Sequence, residues 1–184
     1  MPRMLRFHFQ HYLLTVLLPL LLVSPLSSAS QDKPDYKVPH ATDLQADGEL
    51  ASRENLPLMI MFSQSGCTYC DLVREDFLEP MRKSGDYTDK VIMRIIKLDD
   101  YGNVRDFDGQ MRKPIDIAVR YRASLTPTVI FVDHRGKELA ERILGISTPP
   151  LYGGLLDDAI DLSLQRIRPI NVSRQVEDKT SRLE

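Results

Sequence analysis

Hydrophobic residues after position 40 fall into two patterns, short unbroken runs and longer stretches with a helical repeat. "LPLMIMF" (Leu56–Phe62) is too short for a buried helix and predicts a strand covered on both faces. "VIMRIIKLDD" (Val91–Asp100) and "TPTVIFVD" (Thr126–Asp133) predict a second and a third strand. "HRGK" makes a tight turn around Gly136, and "ELAERILG" (Glu138–Gly145) then predicts a fourth strand, antiparallel to the third. The helical pattern covers the rest. Ala41–Asn55 predicts a helix that Thr42 or Asp43 can cap. Val73, Phe77 and Met81 recur every four residues beside Leu78, predicting a helix that begins at Cys67 and ends or kinks at Pro80. "PIDIAVRYR" carries Pro114 in a helix's first turn, and Leu156, Ile160, Leu164 and Ile167 line a final helix. Tyr101–Lys113 reads as a polar connection.

This order implies a parallel β-α-β unit with a right-handed crossover, closed by an antiparallel hairpin. The expected fold class is α/β: a mixed sheet of about four strands in a βαβαββα core, flanked by helices, with an extra N-terminal helix.

The ends differ from this core. Arg3 and Arg6 precede the apolar run Leu13–Val23, and "SPLSSAS" follows with small residues, which is the layout of a secretory signal peptide cleaved near Ala29. Eleven apolar residues interrupted by Pro19 fall short of a spanning helix. Residues 1–29 are therefore read as the signal peptide and 30–55 as a linker plus N-terminal helix, with Gln31 to about His40 a flexible lead-in. Residues 56–168 form the domain and 169–184 a solvated tail.

Composition adds two exclusions. Loss of Arg3 and Arg6 leaves 22 basic against 26 acidic side chains, a net charge of −4, so a nucleic-acid partner is not indicated. Cys67 and Cys70 are the only cysteines, and past the leader only His40 and His134 accompany them, so a four-ligand zinc site at finger-like spacing is not indicated either. A structural staple is a poor reading, since so small a loop removes little entropy from the unfolded chain. In an oxidising compartment the pair tends toward the disulfide unless something keeps it reduced.

The buried strand running into "SGCTYC", the strand end "KLDD", the "TPT" that opens the third strand, and "HRGK" before Gly145 resemble the thioredoxin family. "DFDGQMRKPIDIAVRYRASLTPTVIFVD" is similar to exported thioredoxin-like proteins of bacteria. The resemblance covers about Leu56–Ile167 and implies thiol–disulfide exchange in the periplasm, with no cofactor beyond the cysteine pair and no metal. It casts Cys67 as the attacking cysteine, Cys70 as the resolving one, and Pro127 as the proline after a cis bond. Thr126 and Pro127, with Tyr69, are the candidate substrate contacts. The sequence departs from thioredoxins proper in Gly66 before the first cysteine, Thr68-Tyr69 between the two, and Leu125 before "TP". Met61 stands where many members bury an acid, leaving Glu54 or Lys97 to serve indirectly.

The chemistry suits these residue types. Exchange needs a thiolate and a second thiol close enough to resolve the mixed disulfide. A cysteine at a helix N-terminus has its anion stabilised by free N–H groups, which brings its pKa below the ordinary value of about 8.5. The reading is a monomeric reductase of exported protein or peptide disulfides, recharged by a membrane electron donor. The alternatives are a disulfide oxidase or isomerase, or a partner- or copper-binding module on the same fold.

Overall fold

A computed structural model describes residues 35–168 of the chain. The stretches expected to be a signal peptide (1–29) and a solvated tail (169–184) lie outside the described residues. Helix α1 spans Leu44–Glu54, and Asp43 rather than Thr42 caps it, its carboxylate accepting the Ala46 N–H at 2.9 Å. Strand β1 (Leu58–Ser63) follows. A long helix after the cysteines runs as α2 (Thr68–Val73), a π-helical turn (Arg74–Leu78) and α3 (Glu79–Ser84). Then come β2 (Ile92–Lys97), the short strands β3 (Val104–Arg105) and β4 (Met111–Arg112), and α4 (Pro114–Arg120). Strands β5 (Thr128–Val132) and β6 (Ile143–Leu144) lead into α5 (Pro149–Ile167).

The main sheet has the order β2-β1-β5-β6. β1 is parallel to β2 and antiparallel to β5, and β6 pairs antiparallel with β5. Because side chains alternate across a strand, β1 feeds two cores. Met59 and Met61 join Met93, Ile95, Val129 and Phe131 against Val73, Leu78 and Met81 on one helix and Tyr152, Leu156 and Ile160 on α5. Leu58, Ile60 and Phe62 join Ile92, Ile96, Ile130 and Val132 against Leu44 and Ala51 of α1 and Ile117 and Ala118 of α4. Each large side chain so buried contributes roughly 1.5–3 kcal/mol. This is the mixed α/β sheet with helices on both faces that the hydrophobic pattern predicts.

Four details differ from that pattern. Pro80 does not end its helix. A proline ring clashes with the preceding turn of an α-helix, and the wider π turn ahead of it, in which the Glu79 N–H reaches the Arg74 carbonyl, re-registers the chain so that it continues to Gly85 (φ +82°). The fourth strand shrinks to Ile143–Leu144 plus an isolated bridge between Val132 and Glu138. Between them the chain leaves the ladder, Ala140 turning into the core and the Arg142 guanidinium donating to Glu138 and to the Tyr121 carbonyl. The described part of the lead-in is also tied down: the Ile95 N–H donates to Pro39 O at 2.9 Å, the Ala41 N–H to Ile95 O at 2.8 Å, and Val38 is buried.

The polar connection holds the fourth difference, the β3–β4 hairpin. Its turn closes through the Gly109 N–H to Asp106 O at 2.9 Å and the Asp106 N–H to Gln110 O at 2.8 Å. The Asp106 side chain, 0% exposed, accepts from Arg112 at 2.8 Å, from both Arg120 nitrogens at 2.5 and 2.7 Å, and from the Phe107 N–H at 2.8 Å. A buried carboxylate between two guanidiniums thus bolts the hairpin to α4.

Candidate active site

The C-terminal end of β1 opens into the loop Gln64–Gly66, which must deliver Cys67 to the start of α2. Two ties shape it: the Leu98 N–H donates to Ser63 O at 2.8 Å, and the Ser65 N–H donates to the Asp99 carboxylate at 3.1 Å. Gly66 then takes φ +71°, a left-handed conformation that an L side chain would strain. Cys67 is the N-cap of α2. Its Sγ accepts the Cys70 N–H at 3.2 Å, and its carbonyl accepts from Cys70 and Asp71 at 2.9 and 3.1 Å. The backbone therefore points a hydrogen-bond donor at this sulfur, the arrangement that stabilises a thiolate.

Cys67 and Cys70 are joined in a disulfide with their Cα atoms 5.2 Å apart. They are not equivalent: Cys67 is half-buried, whereas Cys70 is 2% exposed. Cys67 is thus the more accessible of the two to an incoming thiolate.

The segment Leu125–Pro127 immediately precedes β5, which pairs antiparallel with β1 so that Thr128 lies opposite Phe62. The Thr126–Pro127 peptide bond is cis. Thr126 Oγ1 donates to Cys67 Sγ at 3.6 Å, so residues 59 apart in sequence meet at the disulfide. Thr128 Oγ1 donates to Leu125 O at 2.6 Å, and the Gly145 N–H donates to Pro127 O at 2.8 Å, which fixes the segment between β5 and the end of β6. Tyr69, on the first turn of α2, is 63% exposed and Leu125 57%, so both offer apolar surface beside the pair.

The structure thus brings together Cys67, Cys70 and Thr126, with Pro127 next in the chain and Tyr69 at the rim. It places the two residues considered as indirect proton carriers, Glu54 and Lys97, at different distances from the pair. Glu54 precedes β1 and Cys67 follows it, so the full length of that strand lies between them, roughly 20 Å at 3.3 Å per residue. Lys97 lies opposite Ser63 at the site's end of the sheet. Met61, 1% exposed, packs with Val73 in the core behind the cysteines. Asp99 belongs to the loop's architecture, and its only signal in the sequence is the acidic end of "KLDD". A cavity of about 400 Å³ between β6 and α5, lined by Ile143, Leu144, Tyr152 and Leu155 among others, contains none of the candidate residues. Among the described residues no group of three or more His, Cys, Asp or Glu gathers where it could hold a metal.

Residues 44–160, well over half of the chain, match the thioredoxin-like domain family. The chain belongs to the thioredoxin-like family. No curated protein matches it. Solved structures of similar fold include an uncharacterised thioredoxin-like protein from Clostridium perfringens, at 20% identity and TM-score 0.45, covering 74% of this chain and 91% of that one. Oxidised mitochondrial thioredoxin 3 from Saccharomyces cerevisiae is 19% identical with TM-score 0.46, over 66% of this chain and 94% of its own. The oxidoreductase DsbH is 18% identical with TM-score 0.49, over 73% and 93%. A thioredoxin-like domain with a C-x-x-C disulfide supports thiol–disulfide exchange as the general class of chemistry.

Proposed function

We propose that this thioredoxin-like protein is a thiol–disulfide oxidoreductase that reduces disulfides of exported proteins through Cys67 and Cys70. The observation that carries the reading is the asymmetry of the pair: a reachable Cys67 sulfur, capped by the Cys70 N–H and touched by Thr126, bonded to a Cys70 sulfur that is buried.

In the cycle, the Cys67 thiolate attacks one sulfur of a substrate disulfide. The substrate S–S bond breaks, one substrate sulfur leaves as a thiolate and takes up a proton, and the other is held in a mixed disulfide with Cys67. Cys70, deprotonated, attacks Cys67 Sγ and releases the second substrate thiol. Two electrons have passed to the substrate, and the protein is left with the Cys67–Cys70 bond. The extended substrate chain lies along Thr126 and Pro127 by strand addition, with Tyr69 alongside. The protein works as a monomer in the periplasm after loss of its leader, and a membrane electron donor restores the dithiol. The leader-like N-terminus and the resemblance to exported bacterial relatives support the location, and the family's chemistry supports the class of substrate.

The test is covalent trapping. Reduced Cys70→Ser, mixed with a peptide containing one disulfide, is expected to accumulate a mixed disulfide at Cys67 by mass spectrometry, while Cys67→Ser forms none. A binding-only module would leave both variants unmodified, and that result would sink the proposal. Trapping by Cys67→Ser and none by Cys70→Ser would reverse the assigned roles.

A further inference from the structure

The loop that presents Cys67 is held by a side chain on the neighbouring strand. The bond from the Leu98 N–H to Ser63 O continues the ladder between β1 and β2 one step past its end. Beyond it, the Asp99 carboxylate takes the place of a backbone carbonyl, with its two oxygens 3.2 and 3.1 Å from the Ser65 nitrogen. Only Gly66 then separates Ser65 from Cys67, and the φ of +71° at Gly66 makes the direction of the Cys67 backbone follow the Ser65 peptide plane. The hydrogen bond from Ser65 also holds the Asp99 carboxyl below its ordinary carboxylate value, with Lys97 acting in the same direction, so the group is an anion at neutral pH. The other charged groups of this region are Asp100, next to Asp99, and Asp71 and Arg74 on the helix, which pair with each other at 2.9 Å.

We propose that Asp99 is a positioning residue for disulfide exchange, its hydrogen bond fixing the loop that presents Cys67 and its charge disfavouring the Cys67 thiolate. This rests on the oxidoreductase reading, and it gives that reading a direction. A charge that opposes the thiolate makes the dithiol form less stable relative to the disulfide, so the reduced protein yields its two electrons more readily. A reductase needs that bias.

The experiment uses the full chain with Cys70→Ser, so that Cys67 titrates alone, and follows iodoacetamide alkylation of Cys67 against pH. Asp99→Asn keeps an acceptor oxygen for the Ser65 N–H and removes the charge. Its alkylation midpoint is expected to fall, raising the thiolate fraction below the midpoint roughly twofold, the size of a solvent-screened interaction between two nearby unit charges. Its plateau rate at high pH is expected to stay unchanged. Asp99→Ala removes the hydrogen bond as well and is expected to alter the plateau rate, whereas Asp100→Ala, which leaves Ser65 untouched, is not. In the two-cysteine protein at a pH above that midpoint, Asp99→Asn is expected to shift the glutathione equilibrium about twofold toward the dithiol, roughly 9 mV in potential. An unchanged midpoint in Asp99→Asn overturns the proposed role of the charge, and an unchanged plateau in Asp99→Ala overturns the positioning role. Alkylation requires no enzymatic activity. If Cys70→Ser traps no substrate yet these shifts appear, the oxidoreductase reading has failed and the linkage of Asp99 to Cys67 stands.

Discussion

Replacing Asp106 with Ala should be among the most damaging single changes outside the sheet. The carboxylate is fully buried and receives three hydrogen bonds from two arginines and one from the Phe107 N–H. Removing one partner from a buried ion network costs about 3–5 kcal/mol, because the charges left behind lose their compensation. Here the arginine side chains retain 32% and 42% of their exposure, so water takes up part of the loss and the lower end, about 3 kcal/mol, is expected. For a domain of this size that is a fall in Tm of roughly 6–12 °C. Asp106→Asn keeps an acceptor for the Phe107 N–H but not the charge, and should lose about half as much. Urea denaturation of the oxidised protein at pH 7 measures both. A loss below about 1 kcal/mol for Asp106→Ala would show that the hairpin is not bolted to α4 through this carboxylate.

Gly48→Ala should destabilise, although Gly to Ala inside a helix ordinarily stabilises by about 1 kcal/mol; a Cβ at Gly48 would collide with the His134 backbone carbonyl, and a raised Tm would refute that packing. Stability should also decline in alkali. Tyr87, which donates to Asp157 at 2.6 Å, and Tyr121, which is desolvated by burial, both have pKa values pushed up to about 12. A raised folded-state pKa means that the folded protein holds the proton more tightly, so the stabilisation is complete below pH 10 and lost between pH 10 and about 12. The double variant Tyr87→Phe/Tyr121→Phe should flatten the decline in that window, measured as denaturation midpoint against pH, and an unchanged slope would contradict the assignment.

Much of this architecture was legible in the sequence because it rests on periodicity. Leu58–Phe62 and Val129–Val132 are unbroken apolar runs, and both are buried from end to end. The cysteines and Thr126 meet at the end of the central strands, a meeting that only the family resemblance had implied. What escaped depends on particular polar contacts. The hairpin at Val104–Arg112 has little apolar pattern of its own, since its anchor is the Asp106–Arg112–Arg120 network. The fourth strand looked longer because Leu139, Ala140, Ile143 and Leu144 are apolar, yet Arg142 leaves the ladder to reach Glu138 and a carbonyl. Pro80 looked like a stop, and a local change of hydrogen-bond register absorbs it. Asp99 was invisible for the same reason as the hairpin: one carboxylate acting on a backbone amide 34 residues away leaves no repeat to detect.

The claim that this chain reduces disulfides is tested most directly by the reduction potential of the Cys67–Cys70 couple, from equilibration at pH 7 with glutathione and dithiothreitol redox buffers. A value near −270 mV, as in thioredoxin, is the predicted result, and a value near −120 mV, as in a strong disulfide oxidant, would contradict it.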